Sequence, residues 1–141
     1  MQYVCDAPPY TWFRFETEAE AAQESRAMNH AVEKYFRQAY EEAAATFEPP
    51  KGAAVFEQNI GRKAHIQRVM PLFLTLRDNE GAALVTAMLP PSGLNEQDMR
   101  PIIVGFENSD PYVEFDSAID ALADHYDIDL PRGLCFPYAR R

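Results

Sequence analysis

The chain has 141 residues, close to the commonest size of a single domain, so one core over 1–141 is expected and a second domain is not. It carries a formal net charge of -9, a field that repels DNA and anionic membrane surfaces and so argues against nucleic-acid and membrane partners. Its 17 aromatic residues exclude a disordered chain, which would lack the apolar payload for a packed interior.

The charge is unevenly spread. Residues 1–50 carry a net of -5, residues 51–77 a net of +4, residues 78–131 a net of -11 and the last ten residues a net of +3. The start, Met1 to Asp6, has neither a basic beginning nor an apolar run of signal length. No apolar stretch approaches the roughly 20 residues that span a bilayer. A cytoplasmic protein with Cys5 and Cys135 as free thiols is expected.

Tyr10 to Phe15 is an aromatic run after Pro8 and Pro9 and reads as a strand. Thr17 with Glu20 has capping-box spacing. From there to Pro49 no Gly or Pro interrupts, and Met28, Val32, Phe36, Tyr40 and Phe47 fall on one helical stripe. The pattern predicts one continuous helix over about 18–47, roughly 45 Å long at 1.5 Å per residue. Residues 53–58 read as a strand, and Gly61 to Arg68 as either a short helix or a basic loop. Leu72 to Leu89 predicts a hairpin that turns at Asp78-Asn79-Glu80-Gly81. A polar loop from Pro90 to Arg100 leads to a strand at Ile102–Phe106, which Tyr112–Phe115 extends or re-pairs. Ser117 with Asp120 suggests the cap of a second helix over about 117–126, and an irregular tail begins near 130, tied down by Leu134, Phe136 and Tyr138.

The expected class is therefore α+β: one long N-terminal and one short C-terminal helix packed on one face of a mainly antiparallel sheet of about 4–5 strands.

No motif in the chain carries a recognised chemistry. Cys5, Cys135, His30, His65 and His125 show no metal-ligand spacing, so no metal site and no cofactor are expected. No serine sits in a nucleophile elbow, and neither cysteine has a neighbouring base. Two charge clusters are left. Asp116, Asp120 and Asp124 recur every four residues, followed by Asp127, and make a candidate surface for a basic protein partner; the plain alternative is a solvated face. Arg62, Lys63, His65 and Arg68 make the one basic cluster, a candidate anion site; the plain alternative is charge balance. The leading expectation is a non-enzymatic adaptor, inhibitor or regulatory protein acting through its acidic surface, with a homodimer through the long helix or a sheet edge. The alternative is a small-molecule-binding domain or small enzyme with a pocket between the long helix and the sheet.

Overall fold

The structure is a computed structural model and describes residues 1–91, 100–135 and 137. Five strands form one antiparallel sheet in sequence order: β1 (Gln2–Ala7), β2 (Tyr10–Arg14), β3 (Leu72–Arg77), β4 (Ala83–Leu89) and β5 (Ile102–Val104). Three helices lie in the chain between β2 and β3: α1 (Glu18–Met28), α2 (Val32–Ala45) and α3 (Val55–Val69). A fourth, α4 (Tyr112–Tyr126), follows β5. Among the described residues no helix is long and apolar enough to cross a membrane.

The helices cover both faces of the sheet, not one. Pairing register puts Trp12, Leu76 and Val85 in one cross-strand row, and Leu74, Ala87 and Ile103 in the next. These rows pack on Phe115, Ile119 and Leu122 of α4, and the Trp12 indole N–H donates to the Ala118 carbonyl at 2.8 Å. The opposite face presents Phe73, Thr75, Thr86 and Met88. Phe73 packs there with Phe15, Phe36, Ile66 and Met70 under α2 and α3. Burial on both faces explains why β3 is buried from Leu72 through Leu76 with no solvent-facing alternation.

The long helix expected over 18–47 is two helices. Asn29 takes a left-handed conformation, φ 51, and ends α1; its N–H bonds the Ser25 carbonyl. Asn is the residue besides Gly that best tolerates that conformation, and the break lets α2 turn back over α1. The Thr17–Glu20 capping box at the start of α1 is present, with the Thr17 hydroxyl accepting from the Glu20 N–H at 3.2 Å. Met28, Val32 and Phe36 are buried as expected, whereas Tyr40 is exposed and Phe47 half-buried.

Three further expectations are corrected. Residues 53–58 are not a strand: α3 starts at Val55, and Gly61 to Arg68 lies inside it. Tyr112–Phe115 is the first turn of α4, not a strand, so Ser117 and Asp120 are interior to that helix and cap nothing. The N–H of Tyr112 is instead satisfied by the Asp110 carboxylate at 2.9 Å. The N-terminal strand β1, unexpected from its sequence, forms a sheet edge against β2. The turn at Asp78–Gly81 is as expected: Gly81 has φ 83, and Asp78 accepts from the Glu80 and Ala82 N–H groups. The tail is held by buried Leu130 and Cys135 and by the Tyr112 hydroxyl on the Leu130 carbonyl, while Leu134 is exposed; Phe136 and Tyr138, like most of the 90–100 loop, lie outside the described residues.

Candidate functional site

A groove of about 840 Å³ opens between α2, α3 and the segment that leaves β2. The start of α3 at Val55, where a strand over 53–58 was expected, sets α3 beside α2 and so supplies the second wall. Phe15, Phe36, Ile66, Met70 and Pro71 give it an apolar floor. Arg14, Arg37, Tyr40, Arg62, Lys63 and Gln67 stand around it with Glu16, Glu18 and Glu41.

Its cations are not equivalent. Arg37 is held by Glu18 at 2.7 Å and by Glu33 at 3.1 Å. Arg14 donates to the Gln67 carbonyl at 3.1 Å, and the Gln67 amide donates to Glu16 at 2.8 Å. Arg62 and Lys63 are exposed and form no ion pair among the described residues. Of the basic cluster read from the sequence, then, Arg62 and Lys63 face the groove. His65 and Arg68 belong to another face of α3. The His65 Nε2 meets the Thr46 hydroxyl at 2.7 Å, its Nδ1 meets the Arg68 guanidinium at 3.2 Å, and its ring lies 5.5 Å from that of Phe47.

A second polar cluster lies inside the protein, under α1. The Glu24 carboxylate is fully buried; it accepts from the Thr86 hydroxyl at 2.5 Å and from Arg77 at 2.9 Å. Arg77 also donates to the Thr75 hydroxyl at 3.0 Å and to the Gly81 carbonyl at 3.0 Å. His30 Nε2 meets the Thr86 hydroxyl at 2.9 Å. No buried side-chain nitrogen or oxygen among the described residues lacks a partner, as a buried polar network requires. Burial pushes the Glu24 carboxyl above its ordinary value, against the opposing pull of Thr86, Thr75 and Arg77; burial likewise pushes His30 down.

This cluster contains a hydroxyl, an imidazole and a carboxylate, yet it is not built as a catalytic triad. In a triad the carboxylate orients the far nitrogen of the imidazole. Here the carboxylate and the imidazole grip the same hydroxyl, and Thr86 is only 3 % exposed. A substrate carbonyl has no approach to it. No local pattern of residues marks the cluster, because its members come from α1, β3, β4 and the corner before α2.

The acidic side chains of α4 all point outward. Asp116, Asp120 and Asp124 are exposed on the side opposite Phe115, Ile119 and Leu122, and Asp127 follows at the helix end with φ 53. Asp110 is paired with Arg132 at 2.6 Å. Cys5 is half-buried and Cys135 buried, both free thiols pushed up by burial, the opposite of what a nucleophile needs. Among the described residues no three His, Cys, Asp or Glu side chains converge as a metal site.

Comparison with protein-family models, with curated proteins and with solved structures finds no match to this chain.

Proposed function

We propose that the protein is a binding module for an organic anion. The apolar body of the ligand lies along Phe36, Ile66 and Met70, and its carboxylate, sulfonate or phosphate meets Arg62 and Lys63. The observation that carries this reading is the pair of uncommitted cations on the rim of an apolar-floored groove. Sites for small molecules have this composition: mostly apolar walls with a few polar groups that fix orientation. Arg37 and Arg14 are already engaged, so they shape the rim and add little to recognition.

An anilinonaphthalene sulfonate, an aromatic body with one anionic group, is a suitable first probe. Fluorescence titration of the native protein is expected to show saturable binding to one site. Arg62→Ala with Lys63→Ala should weaken it by about tenfold, since exposed charges each contribute only modestly. Tyr40→Ala should weaken it further, and Asp120→Asn should change nothing. Binding that does not saturate, or that ignores the Arg62 and Lys63 substitutions, rejects the groove as an anion site.

A second reading rests on a different surface. Asp116, Asp120 and Asp124 form an exposed ridge on α4, and such a ridge suits a basic protein partner.

A further inference from the structure

His30 sits at the corner between α1 and α2, and with Glu24 ionised the hydrogen bonds around it assign a role to each of its nitrogens. The Thr86 hydroxyl has one proton, and it donates that proton to Glu24 at 2.5 Å. His30 Nε2 must therefore donate to the Thr86 oxygen at 2.9 Å. Nδ1 is left as an acceptor and takes the Val32 N–H at 3.4 Å. A neutral imidazole offers one donor and one acceptor, and both are used. The first turn of α2 depends on this corner, because Ala31 has no side chain to cap it. Its N–H groups are met by His30 and by the Ser25 hydroxyl, which accepts from Glu33 N–H at 2.8 Å.

We propose that His30 is a proton-operated latch: the neutral ring fastens the α1–α2 corner to β4, and the imidazolium releases the first turn of α2. Protonation would put an N–H on Nδ1 facing the Val32 N–H and so remove the acceptor that the Val32 N–H uses. It would also place a cation at the positive end of the α2 dipole. Burial of the ring opposes the charged form in the same sense and outweighs a hydrogen bond to the residue's own backbone, which favours it. Glu24 on α1 favours the imidazolium, but Arg77 on β3 already neutralises it at 2.9 Å. Glu107, in the turn after β5, accepts from Asn29 at 3.0 Å, and Arg26, Glu33 and Lys34 are the charged side chains of the two helix ends beside the corner. The latch is independent of whether the groove takes a ligand.

The test follows the imidazole C–H resonances by NMR, together with amide exchange of residues 29–36, from about pH 8 to about pH 5. His30 should titrate below the ordinary imidazole value of 6.5. Protection at Val32 to Phe36 should fall about tenfold through the His30 midpoint, after correction for intrinsic exchange, while the α4 amides keep theirs. In His30→Gln, whose side chain is neutral throughout, the corner amides should show no such step. Corner protection that stays constant through the His30 titration overturns the latch. So does a step of equal size in His30→Gln. Should that variant fail to fold, the wild-type coincidence of titration and exchange still decides.

Discussion

The Glu24 carboxylate and the Arg77 guanidinium meet at 2.9 Å across the interface of α1 and the sheet, with Glu24 wholly out of solvent and Arg77 only 17 % exposed. Two ions removed from water are stable only when each is paired and hydrogen-bonded, and here Thr86, Thr75 and the Gly81 carbonyl complete the set. Removing one partner strands the other. Glu24→Ala should therefore destabilise by about 3–5 kcal/mol in urea unfolding. Glu24→Leu combined with Arg77→Met and Thr86→Val should cost clearly less, because it removes the charges together. Equal losses in the two proteins would show that packing volume, not the stranded charge, sets the cost.

Stability should depend on pH through His30 with a definite sign. Burial holds the folded imidazole below its ordinary value of 6.5, so the unfolded chain takes up the proton first. The contribution of His30 is complete above that value and is lost as pH falls towards the lowered folded value. Glu24 acts the other way: its raised carboxyl favours the fold at low pH and costs stability once pH rises past the unfolded value of 4.5. The two contributions have opposite signs, so the His30 effect is read as the difference between the wild type and His30→Gln, which share Glu24. From about pH 7 to about pH 5.5, urea midpoints of the wild type should fall relative to those of His30→Gln. Parallel slopes would remove His30 as the cause.

Gly61 marks where α3 approaches Phe47, in the segment that follows α2. A Cβ built there would lie 3.4 Å from the end of the half-buried Phe47 ring, with nothing else nearer than 3.7 Å. Gly in a helix interior costs about 1 kcal/mol relative to Ala, and the ring edge has room to yield by a few tenths of an ångström. Gly61→Ala should thus stabilise the protein by about 0.5–1 kcal/mol. Gly61→Leu should instead push Phe47 aside and destabilise. Thermal unfolding of the two variants distinguishes these signs, and a destabilising alanine would show that the contact of α3 with Phe47 is already at its limit.

How much of this was legible in the residues varies by element. The β3–β4 hairpin was plain from Asp78 to Gly81, because turn chemistry is local. The break at Asn29 was visible only as a left-handed-tolerant residue inside an otherwise unbroken apolar stripe, and the stripe outweighed it. Covering of both sheet faces was foreshadowed by Leu72-Phe73-Leu74-Thr75-Leu76, a run with no polar face, though alternation of leucines was the more familiar pattern. Residues 53–58 and 112–115 read as strands because short apolar runs do not distinguish strand from helix. In the candidate site, charge alone marks Arg62 and Lys63, as part of one basic cluster with His65 and Arg68. Their separation from His65 and Arg68 depends on which face of α3 meets α2. The Glu24–Arg77–Thr86–His30 network depends wholly on tertiary assembly and left no local trace.

The acidic ridge of α4 supplies the last prediction. Asp116, Asp120 and Asp124 stand exposed at successive helical turns, while the opposite face of the helix is locked on Trp12 and the sheet. Like charges at that spacing repel by a few tenths of a kcal/mol per pair. Asp120→Asn with Asp124→Asn should therefore stabilise the isolated protein by about 0.5 kcal/mol at low salt, an effect that shrinks as salt shortens the Debye length towards about 8 Å and below. Stabilisation alone carries no function. If the ridge steers a basic protein, the same double substitution should also slow association with a partner recovered by pull-down, and added salt should slow the wild type towards the variant's rate. Dissociation should change little, since rim charges act mainly on encounter. Association rates that coincide for the two forms and ignore ionic strength would leave these aspartates as a solvated face and nothing more.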